Sequence, residues 1–388
     1  EEHSDNNTFQ TNDSINFDLK FFGDLLCDVS LKVVIDGNNN NYQFGLENDL
    51  PLFLVDDVTL TMVGPNIEID KLDKNYINFN AMLNNPISNN ATYKLDSNSG
   101  ELTCCDGNNY QNMSLCGGVV NVFVHDDHVN VRKMTAVIPL PFAFCKSIGN
   151  AIPICALDVT HTHPRITLTR VNVDEDKFRF SVPDGGGTTN EDIIGLFKYS
   201  IISKYIFLSD EEKLRFRNSK QEYLYERVNV LNDGSAFTNT DSIGGQFSIN
   251  RLSPNHPIKQ IYLYNEIDNS SIDFNKLKYN IFINSEQMFL SGFLNHEFFS
   301  KVEILNKFKG CIYNGLESQN VLIDNNIALI DFSLKNSVGP SGCISPNTNA
   351  INLHIKSDNS EGDFNIKIYV VCYYLLSISD ERITYMFE

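Results

Sequence analysis

IISKYIFLSDEEKLRFRNSKQEYLYERVNV, residues 201–230, joins two apolar, β-type runs through a charged segment. Ile201, Ile202, Tyr205, Ile206, Phe207 and Leu208 form the first run, and Tyr223 to Val230 the second. Between them, Ser209 followed by Asp210, Glu211 and Glu212 reads as a helix start. The serine is a hydroxyl cap, Glu212 completes a capping box, and three acids sit at the positive end of the helix dipole. Leu214 and Phe216 offer the helix apolar side chains to bury, Lys213, Arg215 and Arg217 lie toward its C-terminal half, and Asn218 and Ser219 can end it. Strand, helix, strand is the simplest reading. The stretch lies near the middle of the chain with β-rich sequence on both sides, where a linker between two similar β domains would fall.

At 388 residues the chain exceeds what one hydrophobic core usually organises, so two domains are expected. A hydrophobic fraction of 42% and a charged fraction of 20% are those of a globular protein. No run of about 18 apolar residues occurs, so no membrane-spanning helix is expected. The chain opens Glu-Glu-His-Ser without methionine, which reads as a processed product or as numbering that starts inside a longer one. The formal net charge of −19, from 49 acidic and 30 basic residues, opposes sequence-independent binding to phosphate backbones. Lys213, Arg215, Arg217 and Lys220 are the densest basic group, but three acids precede them, and a solvated helix face is the reading.

Nine cysteines are spread thinly. Several stand in apolar strand contexts, as in Val370-Val371-Cys372-Tyr373, and fit reduced thiols in a cytosolic setting better than a disulfide framework. Five N-x-[ST] sequons, at Asn6, Asn12, Asn90, Asn112 and Asn269, argue the other way, although an asparagine-rich chain produces sequons by chance.

Strand character runs from Ile15 to Ile35 around a turn at Gly23-Asp24, and from Asp57 to Leu72 around Gly64-Pro65-Asn66. Lys74 to Leu83 suits a short helix, and Asn84 to Gly118 reads as an exposed polar loop. After strand-like 119–124 and 130–140, the apolar Phe142 to Leu157 suggests a buried turn between core elements. Ile166-Thr167-Leu168 and Val171-Asn172-Val173 continue as strand, and Pro183 to Asn190 is a glycine-rich loop. Beyond the central segment, strands are expected at Gln246–Asn250, Ile258–Asn265, Leu277–Ile283, Lys301–Ile304, Ile327–Leu334, Ile351–Ile355 and Phe364–Leu376. Many short strands in two halves with few helices mean two antiparallel sandwiches or barrels.

Four groups invite a chemical reading. His125-Asp126-Asp127-His128 with Cys104, Cys105 and Cys116 upstream could hold zinc, but the usual C-x₂₋₄-C pair is missing. His161 and His163 would share one side of a strand, and a half-exposed strand end before Pro164 is the simpler reading. Asp184 with Gly185-Gly186-Gly187 lacks the Gly-Lys-Ser/Thr of a phosphate loop, and His256-Pro257 reads as a turn entering a strand. No nucleophile elbow or convincing carboxylate pair occurs, so no catalytic, cofactor-binding or metal residues are assigned and a non-enzyme is expected.

Several stretches resemble the major capsid proteins of large double-stranded DNA viruses, the double jelly-roll family of iridoviruses, phycodnaviruses and mimiviruses and, more distantly, the poxvirus scaffold protein. Tyr205 to Arg227 is similar to the family's "YIYLDTDERRRFAQSSHEYLIEQ", and Ile138 to Leu157 to "PLPFWFCRNPGLALPLIAL". Phe22-Gly-Asp-Leu-Leu26 resembles "GDLI", Gly64 to Leu83 resembles "IGGQKIDKHYGEWLNIWNEL", and Asn255-His-Pro-Ile-Lys259 resembles "NHPVKEL". Gly339-Pro-Ser-Gly-Cys343 is similar to "PSGSCNFSRID" and Ile366 to Leu376 to "IRVYAVNYNVLRI". The matches keep one order over nearly the whole chain. Ala143 stands where the family has tryptophan, a residue this chain lacks altogether.

The resemblance implies an all-β fold of two consecutive eight-stranded jelly rolls, 1–208 and 223–388, joined by a short helical linker at 209–222. It implies a structural subunit that forms homotrimeric, pseudo-hexagonal capsomers of an icosahedral virion assembled in the host cytoplasm. Its partners would be neighbouring capsomers, minor capsid proteins and, as a further surface, the inner virion membrane, without direct contact to nucleic acid. No cofactor is implied. A scaffold protein of immature virions in the same lineage is the first alternative, and a secreted β-sandwich that binds glycans or a receptor, supported by the sequons, is the second.

Overall fold

The computed structural model describes residues 2–3, 9, 14–19, 22–36, 43–44, 52, 54–84, 92–95, 101–106, 133–158, 161–171, 180–181, 194–231, 246–250, 256–265, 277–288, 292, 294–308, 327–334, 341–357, 366–379 and 381–386. The chain folds as two compact units, Glu1–Tyr223 with Leu376–Glu388, and Leu224–Leu375.

In the first unit the strand Leu25–Asp36 alternates buried and half-buried residues, as a period of two demands of a strand with one face inward. Cys27, Val29, Leu31, Val33 and Ile35 point inward. The strand is flanked by antiparallel Phe197–Ile206, with Ile201 opposite Leu31, and by Lys133–Pro139, with Ile138 opposite Leu31. A second sheet takes Ser14–Asp18, His163–Arg170, Val55–Val63 and Ile67–Asp73 in that order. Its buried residues include Phe17, Ile166, Leu168, Val58, Leu60 and Ile69. The turn between Val55–Val63 and Ile67–Asp73 depends on Gly64, whose φ is +103° and whose backbone lies so close to the His161 carbonyl oxygen that a Cβ could not fit. A helix follows at Lys74–Asn84, capped by Asp73, whose Oδ1 accepts the Asn75 N–H at 2.7 Å. Phe142 to Leu157, expected as a buried turn, is built from three short 3₁₀ segments and is buried at its two ends, Phe142–Phe144 and Ala151–Leu157, while its middle is exposed, Ile148 by 74%.

The second unit is an antiparallel sandwich around one core. One sheet runs Gln221–Val230, Ile366–Ser379, Ile258–Asn265 and Ile327–Asp331, the other Gln246–Asn250, Ile351–Ser357 and Leu277–Ile283 with the two-residue Glu286–Gln287. Ile261, Leu263, Ile330, Ile368 and Val370 from the first sheet meet Leu277, Tyr279, Ile281, Leu353 and Ile355 from the second. Interleaved apolar faces of this kind are the main source of stability in a sandwich.

Several expectations are corrected. Residues 92–95 and 101–106, read as part of a polar loop, form paired strands, with Tyr93 opposite Cys104, and the sequence of both includes β-type residues such as Thr92, Tyr93 and Thr103. Lys301–Ile304, read as a strand, lies in a π-helix, Phe298–Glu303, that continues as the α-helix Ile304–Lys307. Four residues of alternating character fit the first turn of a helix as well as a strand. The strand at Ile327 ends at Asp331 instead of Leu334. The loops at 37–41 and 183–190 and the strand-like 119–124 and 172–173 lie outside the described residues.

The chain passes out of the first unit within Gln221–Val230 and returns within Ile366–Ser379. Its final hairpin, Arg382–Met386, therefore belongs to the first unit, where the Tyr385 hydroxyl donates to the backbone oxygens of Ile69 at 2.6 Å and Glu68 at 3.2 Å.

Candidate functional site

The central helix, Asp210–Asn218, begins as its sequence requires. The Ser209 hydroxyl accepts the Glu212 N–H at 3.4 Å and Glu212 Oε2 accepts the Ser209 N–H at 2.9 Å, a reciprocal capping box. The backbone hydrogen bond from Ser209 holds the Glu212 carboxyl below its usual range.

Asp24 fastens this helix to the first unit. Its Oδ2 accepts the Leu208 N–H at 2.8 Å and lies 3.3 Å from Lys213 Nζ. The Asp24 N–H donates to Ile206 O at 2.9 Å, and the Asp24 carbonyl accepts the Cys155 N–H at 3.0 Å. Arg217 Nε closes the ring by donating to Cys155 O at 2.8 Å. Beneath it, Phe216, Ile206 and Leu208 pack on Leu25, Cys27 and Ala151. Burial pushes the Cys27 and Cys155 thiols up. Gly23 permits the close approach, since a Cβ there would stand 2.5 Å from Tyr205 Cβ. Of the two apolar residues expected to bury, Phe216 is half-buried against the seat, and Leu214 is 55% exposed.

Beside the seat, Phe22, Asp28, Ser30, Lys204, Tyr205 and Phe207 line an open groove of about 600 Å³. Phe22 and Tyr205 meet edge to face at 6.4 Å, while Phe207 is 75% exposed. Exposed aromatic residues beside polar ones are the composition of an interaction surface.

The second unit brings two family-like motifs together. Ile258, just after Asn-His-Pro, exchanges backbone hydrogen bonds with Ile344, just after Pro-Ser-Gly-Cys. A register shift between Ile258 and Gln260 re-aims Lys259, which is only 2% exposed. Its ammonium meets Glu226 Oε1 at 2.6 Å. Gln260 Nε2 donates to Asp331 Oδ2 at 3.0 Å, and Asp331 also accepts Ser333 N–H at 2.6 Å and pairs with Lys307 at 3.3 Å. Burial and the like charge of Asp331 raise the Glu303 carboxyl, with Lys307 opposing them. His256 stacks on Tyr374 at 3.9 Å, as a turn entering a strand, and Arg227 lies 5.5 Å from the same ring. Buried charges paired in this way hold loops in one arrangement.

The other sequence candidates are dispersed. His161 Nδ1 lies 2.7 Å from Asp158 Oδ2, whereas His163 Nε2 lies 3.2 Å from Asp18 Oδ1, which also accepts from Arg165 Nε at 2.6 Å. The two histidines thus serve different aspartates. Among the described residues no group of three or more His, Cys, Asp or Glu could hold a metal. Cys104 and Cys105 lie in the strand Glu101–Asp106; Cys116, 125–128, 184–187 and all five sequons lie outside the described residues. Cys27, Cys145, Cys155, Cys343 and Cys372 are free thiols. Sequence reading missed Asp24, Asp70 and Asp331, whose signal was a carboxylate inside or beside an apolar run. Buried Asp70 accepts the Ala143 N–H at 3.3 Å and so ties down the Phe142 to Leu157 turn.

Residues 1–208 match the family described as "Major capsid protein N-terminus". A major capsid protein of Phaeocystis pouchetii virus is 30% identical over 174 residues, 44% of this chain and 31% of that protein. Capsid protein 1 of Acanthamoeba polyphaga mimivirus is 29% identical over 150 residues, 38% of this chain and 23% of that protein. The matched stretch thus spans less than a third of either relative's length. Among solved structures, PBCV-1 VP54 superposes with a TM-score of 0.69 at 17% identity, covering 100% of this chain and 96% of that one. The Faustovirus major capsid protein superposes with a TM-score of 0.58 at 11% identity, covering 98% and 90%. These likenesses show the double jelly-roll fold.

Proposed function

Since the chain belongs to the major capsid protein family of large DNA viruses, we propose that it is a structural subunit of an icosahedral shell. The observation that carries the reading is the presence of two mainly antiparallel β units in one chain. Two similar domains repeated by a three-fold axis give six similar walls, so a homotrimer makes a pseudo-hexagonal block that tiles a curved face with one protein species. On this reading the jelly rolls are 1–208 and 223–388 in chain order, the linker is 209–222, and the final hairpin returns to the first roll.

The partners are then neighbouring blocks, minor capsid proteins and the inner virion membrane, and the protein resides in the virion after assembly in the host cytoplasm. It is not an enzyme on this reading, and it needs no cofactor. The net charge of −19 leaves contact with the genome to other, basic components. Light scattering tests the proposal: a stable trimer is expected, and a strict monomer at high concentration counts against self-assembled blocks. Presence in purified mature particles separates a shell subunit from a scaffold protein, which would be absent from them.

A further inference from the structure

The central helix has two working faces, and its seat occupies one. Successive helical residues advance about 100° around the axis, so Phe216 lies about 160° from Leu214. Phe216 packs into the seat and Leu214 is turned outward. Asp210 and Arg217 flank Leu214 on one side, at about 40° and 60°, and Glu211 and Asn218 flank it on the other, at about 60° and 40°. The two acids precede Leu214 along the axis by about 4.5–6 Å, and Arg217 and Asn218 follow it by the same distances.

This pattern is its own complement. Turned end for end about an axis through Leu214, a second copy sets its Arg217 opposite Asp210, its Asn218 opposite Glu211, and its Leu214 against the first. We propose that the outer face of Asp210–Asn218 is a two-fold contact between copies of this chain. The Asp210 side chain is fully exposed, with Lys213 at 3.9 Å, and Arg217 gives Nε to the seat while its guanidinium carries further donors. Phe207, two residues ahead of the helix cap, is 75% exposed as well. A chain of charge −19 repels its copies in most orientations, so a locally matched face selects one.

The inference rests on the shell reading for its place in the particle. A ring of three needs contacts between unlike patches, whereas this contact pairs a patch with itself and therefore joins neighbouring blocks. One such contact is weak, and a shell strengthens it by repetition.

The test is Leu214→Cys in the full chain, concentrated, mildly oxidised, then sized by light scattering and mapped by non-reducing mass spectrometry. The expected product is a disulfide between the introduced thiols of two copies, seen as a covalent dimer of chains in denaturing, non-reducing conditions, with the native mass at least doubled as blocks are joined. Arg215→Cys, about 100° away around the helix, should cross-link much less. In the Leu214→Cys background, Asn218→Lys should raise cross-linking about five-fold and Asn218→Glu lower it about five-fold, because two symmetry-related pairs change together. Adding Glu211→Lys to Asn218→Glu should restore it. Cross-linking no greater than at position 215, indifference to these charges, or linkage to native cysteines instead would overturn the contact. A trimer whose mass stays unchanged on oxidation refutes the contact and leaves the block standing, whereas a monomer that becomes a dimer upholds the contact and counts against the block.

Discussion

Asp24→Ala isolates the bracket that holds the central helix. The Asp24 side chain is only 13% exposed and does two things: its Oδ2 accepts the Leu208 N–H at 2.8 Å and lies 3.3 Å from Lys213. The backbone bonds of residue 24 to Ile206 and Cys155 survive truncation. Removing the acceptor strands an amide ahead of the helix, at about 1–2 kcal/mol. The partly exposed ion pair adds no more than about 0.5 kcal/mol. The total, about 2 kcal/mol, corresponds to about 4–8 °C in Tm for a domain of this size. Thermal unfolding should show that drop in the transition of the first unit, and hydrogen exchange should quicken across Asp210–Asn218. Asp24→Asn keeps an oxygen that can accept from Leu208 and should recover more than half of the loss, and Lys213→Ala should cost little. An Asp24→Ala protein that unfolds within about 1 °C of the parent, or an Asp24→Asn protein no better than Asp24→Ala, would refute the bracket.

Three further outcomes follow from the charges and thiols. The Arg165 hydrogen bond holds the Asp18 carboxyl below its usual 3.8, so its contribution to stability is present above about pH 4 and is lost as pH falls toward the depressed folded value. Arg165→Gln should flatten that part of the Tm-against-pH curve, by a small amount because the pair is half exposed. Glu303 behaves oppositely: burial raises it above 4.5, so the native state holds its proton more tightly and stability declines as pH rises through that window. Glu303→Gln should therefore raise Tm at pH 7, with the gain vanishing near pH 4, and a loss at pH 7 would contradict the assignment. In the folded protein, alkylation should reach exposed Cys343 first and spare Cys372, whose thiol burial pushes up to about 12. After unfolding, all nine cysteines should react, and four protected pairs would refute the reduced state.

Local signals were legible in the sequence, and long-range ones were not. Ser209 and Glu212 are three residues apart and cap a helix without help from the rest of the chain, so strand, helix, strand could be read directly. The alternation along Leu25–Asp36 needed only its own period. Lys301–Ile304 failed because four residues cannot separate a period of two from part of a helix, and the helix they belong to begins earlier, at Phe298. Leu214 and Phe216 looked equivalent, and only the position of Leu25 and Ala151 shows which one has a partner. The re-aiming of Lys259 follows from the pairing of Ile258 with Cys372 and of Gln260 with Val371, more than a hundred residues away.

Three aspartates account for much of what sequence reading missed, and they share one physical role. Backbone N–H groups at strand ends and turns lack ladder partners, yet buried ones must be satisfied. A carboxylate has about four acceptor positions, enough to take an orphan N–H and still face a cation or a second donor. Asp24 does this for Leu208 and Lys213, Asp70 for Ala143 and Lys71, and Asp331 for Ser333, Gln260 and Lys307. Asp24 and Asp70 bridge 184 and 73 positions of sequence in doing so: the first ties a bend to the entry of the central helix, and the second ties the strand Ile67–Asp73 to the start of the Phe142 to Leu157 segment. On the proposed shell reading such brackets are the functional residues: they fix where the central helix and the loops stand, and so which faces a neighbouring copy would meet.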